Sequence, residues 1–495
     1  MKNGILIGLD VGTTVLKAAA FDVRTGRALA VSSRRLPVRV GSGGEREQST
    51  ALLDRAMRAA FADLRDRVGR RWREVAGIGL AAQGGSGIVV NRRTGTALTP
   101  MMLWNDARPS AYAARIMAGR PPGYWRRHTM RDVPGQGLGR MLWLRDTHPR
   151  LLTDDNLHVG AGEYGYFRLT GVWRQDGGNA LQVGCFNARQ RRLDQRLLDV
   201  TGLPLSFIAP MRSGHEMHGL TRGAAQRFGL PEGTPVAGPY IDQEAGYMSA
   251  LGVSARPLQC SLGTAWVGNF ELAATETWTS PYQLVLPGIT GEGWLVLQPL
   301  LTGNVTWDWG LTHLADADQR LALRQADRIF ASELLPPAGL LALPWFNAGN
   351  PLCQGALGGG AFVGMSPHTD RAQLLRALAL GMACEMARVL AEVRLKRKVD
   401  SVVLGGGASR GRYFQDLFAV LFHPLPVYRL QDEDLAGARG VLLGFDRAVA
   451  RARPERVSAS VGAVRSRIEA AYGLYLRAFE RMYGSVATGN GVKFQ

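Results

Sequence analysis

Two stretches of this chain, roughly 250 residues apart, carry the same local plan. Each is an apolar strand, a tight turn containing Gly-Thr, and a second strand. The first is "GILIGLDVGTTVLKAAAFDV", beginning at Gly4, and the second is "LQCSLGTAWVGNFEL", beginning at Leu258. A hairpin of this kind cannot bury itself alone, so each must open a larger layer. Around the first, residues 4–40 read as three strands joined by the turns "VGTT" and "RTGR". Helical spacing over 49–68 and the buried strands "VAGIGLAAQ" and "GIVVN" follow. Around the second come the strand "GEGWLVLQPL" and a long helix from Arg371 to Lys396. The strand "VDSVVLG", a glycine triplet and an amphipathic helix complete that half. The chain therefore reads as two α/β halves, joined between Gly252 and Pro257. We take 1–255 and 256–450 as domains and 451–495 as a helical tail with a polar, fraying end, "SVATGNGVKFQ".

The chemistry that such turns offer is phosphate binding. Phosphate needs backbone N–H groups, hydroxyls or cations that converge on it. No GxxxxGK[ST] motif and no protein-kinase set occurs, and "GQGLGR" at 135–140 is not GxGxxG. Instead, Asp10 ends a strand and precedes Gly12, Thr13, Thr14 and Lys17. The turn offers hydroxyls and N–H groups, and Asp10 is suited to hydrated Mg²⁺. Gly263 and Thr264 repeat the turn, and Gly405, Gly406 and Gly407 sit between a buried strand and a helix. Glycines there allow close approach of a flat ligand or a phosphate. Plain hairpin and strand–helix turns carry the same residues, so these motifs alone leave both readings open.

Charge raises a competing class. Lys+Arg number 59 against 41 Asp+Glu, a net +18, and only five of the basic residues are Lys. The Arg residues are scattered and not interleaved with aromatics, and no zinc-finger or RNP1-like pattern appears. An anionic small molecule fits this balance better than nucleic acid. Cys185, Cys260, Cys353 and Cys384 form no CxxC pair. Reduced thiols in a cytoplasmic protein are the expectation, and "MKNGILIGLD" is too short for a signal peptide. The most apolar later run contains Arg376, Glu385 and Arg388 and reads as a packed helix rather than a span. "HEMH" at His215–His218 has no evident third metal ligand and reads as a surface turn. Trp143, Trp307 and Trp309 read as core.

Taken in order, these pieces resemble the FGGY carbohydrate kinases. "GILIGLDVGTTVLKAAAFD" is similar to that family's first phosphate loop. "MMLWNDAR" (Met101–Arg108), "GRMLWLRDTHPRLL" and "YFRLTGVWRQDGGNA" resemble its LWNDxR, K-x-x-W-L and YRLTG…TDxSNA segments. "CSLGTAW" and "VVLGGGASRGRYFQDLFA" resemble its second phosphate loop and adenosine loop, and "GLLALPWF…GAFVGMS" is also family-like. The matches run from residue 4 to 445.

The resemblance implies an actin/hexokinase-like (ribonuclease H-like) two-domain α/β fold with a cleft between lobes. It implies ATP and Mg²⁺ as cofactors and a small sugar or polyol as partner, without nucleic acid or membrane; a homodimer stays an option. Asp242, in "GPYIDQEAG", matches the family's proton acceptor. Gly12, Thr13, Thr14, Lys17, Gly263, Thr264, Gly303, Gly405, Gly406, Gly407, Ala408 and Arg410 are carried to the nucleotide site, and Asp10 to the metal. Gln83, Trp104, Asp106 and Gln243 are carried to the substrate. A bland alternative for Asp242 is that it caps the helix after it. The chain departs from relatives at Gly84-Gly85, where xylulokinases carry Met-His and glycerol kinases Arg-Glu, at Gly135, where glycerol kinases place Tyr, and at Arg410, often Asn. Ser86 or Gln136 are candidates to replace the lost contacts. A ketopentose such as D-xylulose is the leading substrate, other ketoses and polyols the next, and a silent sugar- or nucleotide-binding regulator the competing class.

Overall fold

The computed structural model describes residues 4–263, 265–276, 283–289, 293–300, 302–346, 359–391, 393, 399–450, 454–457, 462 and 464–483. Its first layer grows from the first hairpin. Strand β1 (Ile5–Val11) pairs antiparallel with β2 (Val15–Asp22), which pairs with β3 (Ala28–Arg35). Helix α1 (Thr50–Val68) crosses over, capped by Ser49, whose hydroxyl accepts the Leu52 N–H. Its Leu53, Met57, Phe61 and Leu64 recur every three or four residues and are buried. The chain then enters β4 (Val75–Ala82), parallel to β1. Beyond β4 lie β5 (His218–Gly219) and β6 (Pro235–Ile241), giving the order β5-β6-β4-β1-β2-β3. Between β4 and β6 come two helices used below, α2 (Gln136–Thr147) and α3 (Gly177–Val183). Helix α4 (Asp242–Ala250) starts directly at the end of β6.

The second layer repeats the plan. Strands β7 (Pro257–Leu262) and β8 (Trp266–Leu272) form the hairpin, extended by β9 (Leu284–Pro287) and β10 (Trp294–Pro299). After the long α5 (Arg371–Val389), β11 (Ser401–Gly405) lies parallel to β7, as β4 does to β1. Helix α6 (Arg412–Leu421) leads to β12 (Val427–Leu430) and β13 (Pro454–Arg456). The sheet order is β9-β10-β8-β7-β11-β12-β13. The expected strands and helices are all present where residues are described; the predicted "LKRK" end of the long helix and Cys353 lie outside them.

Each half has its own apolar core. The tail is less separate than expected. Its helix α8 (Arg465–Tyr483) buries Ile468, Tyr475 and Phe479 in the second core. Tyr475 donates to Glu385 on α5 at 2.9 Å, and the Arg388 guanidinium lies 3.9 Å from the Phe479 ring centre. The polar end "SVATGNGVKFQ" lies outside the described residues. A short helix, α7 (Ala436–Gly440), comes from the second half and wedges against β1, β4 and α4 of the first. Its fit requires glycine: a methyl on Gly437 would stand 2.4 Å from Asp10 Oδ2. Cys185, Cys260 and Cys384 are buried and unpaired. Among the described residues no helix is long and apolar enough to cross a membrane.

Candidate active site

The end of β1 and the start of α4 face each other beneath α7, and each brings a carboxylate. Asp10 sits on β1, one residue before the strand ends. Its Oδ1 is buried and has no hydrogen-bond partner. Burial, and then the neighbouring Asp242 charge, push its pKa up to about 7 against the pull of Lys17. Asp242 is the first residue of α4 and is half-buried. Burial pushes its carboxyl up to about 6, while the Gln243 N–H donates to Oδ1 at 2.9 Å and opposes the rise. The helix-cap alternative for Asp242 is answered by its neighbour: Glu244, not Asp242, turns back to accept the Ile241 N–H at 3.3 Å.

Around these carboxylates lies a chain of amides and hydroxyls. Gln83 is buried at the end of β4, where its Oε1 accepts from Thr13 Oγ1 at 3.1 Å. Its Nε2 donates to Gln48 Oε1 at 2.9 Å, and Gln48 in turn donates to the Thr13 carbonyl. Trp104, 42% exposed, donates its indole N–H to Thr13 Oγ1 at 3.3 Å. Trp104 is thus an exposed aromatic held in place by a polar anchor, unlike the buried Trp307. Gln243 accepts from Asn269 at 3.3 Å and ties the site to the second sheet.

The phosphate-loop residues divide. Gly12 closes the turn by donating to the Val15 carbonyl at 3.0 Å. Thr13 faces the Gln83–Trp104 network, and Thr14 is exposed. Lys17 reaches the second half, donating to the Asp434 carbonyl at 2.9 Å. Gly263 directly follows β7, and its carbonyl accepts from the Asn304 N–H at 3.2 Å, directly after Gly303. Thr264 lies outside the described residues. Gly405 ends β11, Gly406 adopts φ 85° and Gly407 opens the turn that contains the buried Ala408. Arg410 ion-pairs with Glu433 and with Asp434, the residue that also holds Lys17.

Two expectations need correction. Asp106 cannot receive a substrate hydroxyl as it stands: its buried Oδ1 and Oδ2 accept from the Arg108 and Arg46 backbone N–H groups and from the Arg108 guanidinium. Its work is to hold the segment that carries Trp104. Ser86 is committed elsewhere: its hydroxyl accepts the Ala161 N–H at 3.0 Å, at the start of the helix Ala161–Thr170. His215 and His218 each share a hydrogen bond with a tyrosine hydroxyl, Tyr240 and Tyr166.

The sequence reading missed several groups. Arg140, at the Lys position of the K-x-x-W pattern, is buried and donates to the Gly85 carbonyl at 2.7 Å and the Leu103 carbonyl at 3.2 Å. Burial lowers its pKa to about 10. Asp176 caps α3 through the Asn179 N–H at 2.8 Å and lies against Glu244. Burial pushes both carboxyls up; the Asp176 charge raises Glu244 further, while the hydrogen bond with Glu244 partly offsets the rise of Asp176. Aligned TDxSNA and GxxDxxA patterns place Asp176 and Glu244 in sequence, but nothing in them says that the two meet.

The N-terminal family model for FGGY carbohydrate kinases matches residues 5–249, and the C-terminal one matches 258–444. The chain belongs to the FGGY family of carbohydrate kinases. The erythritol kinase of Brucella abortus (strain 2308) is 26% identical over 485 residues, 88% of this chain and 86% of that one. The glycerol kinase of Acaryochloris marina (strain MBIC 11017) is 24% identical, covering 90% of this chain and 89% of that one. The crystal structure of xylulose kinase from Rhodospirillum rubrum superimposes with a TM-score of 0.83 at 22% identity, over 97% of this chain and 99% of that one. The two-domain actin/hexokinase-like fold is therefore shared, and this FGGY kinase is a phosphotransferase with an alcohol group as acceptor. ATP is the donor of such kinases.

Proposed function

We propose that this kinase moves the γ-phosphoryl group of ATP to a hydroxyl of a sugar, with Asp242 as general base. The observation that carries the reading is the half-buried pair Asp10 and Asp242, both with raised carboxyls, set beside the Gln83–Thr13–Trp104 network. A carboxylate near pKa 6 is ionised at neutral pH yet basic enough to take a proton. As the acceptor oxygen bonds to phosphorus, its proton passes to Asp242, and the bond to the β-phosphate oxygen breaks to release ADP. A positioned base of this kind contributes about 10²–10⁴ in rate. Gln243 follows Asp242 and Trp104 walls the acceptor side.

Asp10 fits a divalent cation: its Oδ1 is buried, unpartnered and held at a raised pKa, which an adjacent cation would reverse. Bound Mg²⁺ would neutralise charge on the phosphate oxygens. The glycine turn at Gly405–Gly407, the Gly263 turn and the Gly12–Thr14 turn supply backbone N–H groups and hydroxyls for the nucleotide, with Lys17 and Arg410 as cations once freed from Asp434. We assign the sugar site and first phosphate loop to 1–255 and the nucleotide half to 256–450.

A ketopentose of the D-xylulose type is the leading acceptor, supported by the "LWND" segment. A four-carbon polyol is the second reading, favoured by the likeness to an erythritol kinase. A coupled ADP-release screen over D-xylulose, ketohexoses, erythritol, glycerol and aldoses separates them. Turnover of the polyol with D-xylulose near background would remove the ketopentose reading. No ATP consumption with any acceptor would favour the silent regulator.

A further inference from the structure

We propose that Gln136 and Gln182 select the acceptor: their two carboxamides hydrogen-bond the hydroxyls of a neutral polyhydroxy substrate and disfavour one that carries a carboxylate. The proposal rests on the kinase reading above.

The acceptor side of the site lacks a side chain where relatives carry one. Gly84 and Gly85 follow Gln83, and Gly85 has φ 74°, which favours glycine. A methyl on Gly85 would lie 3.2 Å from Gln136 Oε1, 3.2 Å from Trp104 Cβ and 3.5 Å from Gln182 Oε1. A methyl on Gly84 would lie 3.2 Å from Ile241 Cγ2 and 3.6 Å from Gln182 Nε2. The space beside the glycines is thus walled by two amides, by Trp104 and by Ile241, the residue before Asp242.

The amides are held from behind. Gln136 opens α2 and Gln182 lies in the last turn of α3. The two helix ends meet backbone to backbone, since a methyl on Gly135 would stand 2.3 Å from Gly184 Cα. That contact explains why no tyrosine stands at Gly135, and it fixes the two glutamines relative to each other. Beneath them, Arg140 pins the Gly85 carbonyl.

Among the described residues neither side-chain amide has a protein partner, and Gln182 is half-buried. A carboxamide both donates and accepts, as a hydroxyl does. A carboxylate only accepts, and binding one needs a cation. Of the arginines on this side, Arg108 serves Asp106 and Glu47, and Arg140 is buried and donates to the Gly85 carbonyl. The wall is therefore complementary to vicinal hydroxyls.

The test uses the full chain and a panel of D-xylulose, erythritol, glycerol and D-gluconate. ADP release is measured for the wild type, Gln136→Ala and Gln182→Ala, and calorimetric binding of each acceptor is measured alongside. We expect each variant to raise KM, or Kd, for the best neutral acceptor about five- to tenfold. The KM for ATP and kcat should stay within about twofold, and the melting temperature should not shift. Gln182→Arg should shift the gluconate-to-neutral kcat/KM ratio toward gluconate by at least tenfold. Unchanged acceptor KM and Kd in both alanine variants, or gluconate as the preferred wild-type ligand, would overturn the proposal while leaving the kinase reading intact. Acceptor binding that weakens in the variants without any turnover in the wild type would uphold the amide wall and remove the kinase reading. A wild type that binds no panel acceptor would overturn both.

Discussion

Asp242→Asn should remove turnover and, in the same variant, make the protein more stable. The structure sets the size of the second effect. Burial moves this carboxyl from 3.8 to about 6. At 1.36 kcal/mol per tenfold, such a shift corresponds to roughly 3 kcal/mol of destabilisation when the group is ionised. Asp242 keeps a solvent-facing edge, which screens the effect to about 1–2 kcal/mol. The sign follows from the raised value. Below about pH 4 the group is protonated in both the folded and the unfolded chain and costs nothing. Between about pH 4 and 6 only the unfolded chain ionises, so stability falls as pH rises; above 6 the cost is complete. Asn carries no such cost and also relieves Asp10, whose carboxyl the Asp242 charge pushes up. Differential scanning fluorimetry at pH 8 should show the variant melting about one to three degrees higher, with the gap about halved at pH 5. Stopped-point ADP assays should show kcat at least 10²-fold down with nucleotide affinity retained. A variant that melts at or below the wild type at pH 8, or that keeps more than about a tenth of kcat, would refute the reasoning.

Four further outcomes are expected. MgCl₂ without nucleotide should raise the wild-type melting temperature more at pH 8 than at pH 6, because Asp10 titrates near 7, and Asp10→Asn should lose that gain. Glu244→Gln should flatten the loss of stability at alkaline pH, since burial and Asp176 both raise the Glu244 carboxyl, whereas Glu244→Ala should lower the melting temperature by removing the acceptor for Ile241 N–H. Trp104→Phe should raise the acceptor KM severalfold and leave the ATP KM unchanged, because the indole N–H that meets Thr13 is lost while the nucleotide side is untouched. Small-angle scattering should show compaction when acceptor and an unreactive ATP analogue bind together, as the contacts of Lys17 and Arg410 to Asp434 are exchanged for phosphate; an unchanged radius of gyration would count against closure.

How much of this was legible beforehand depends on the range of the contact. The strand–turn–strand pattern is local, and both hairpins stand where their apolar runs put them. Asp10 was legible from its place at a strand end, and Asp242 only through the family pattern it matches; that the two carboxylates feel each other's charge took the fold to show. Asp106 misled because the sequence shows a carboxylate two residues before an arginine and not which way it faces; in the fold that arginine and two backbone N–H groups take both of its oxygens. Thr13 turned toward Gln83 for the same reason, its partner lying 70 residues away. The capping of α4 passed to Glu244 because a helix that starts directly at a strand end has an isoleucine, not a polar residue, before its first turn. Gln182 left no mark in the sequence at all. Its amide matters only because two glycine backbones, Gly135 and Gly184, bring two helix ends together over a second glycine pair, Gly84 and Gly85. Glycines written far apart in a chain report a close approach only when the fold shows what they approach.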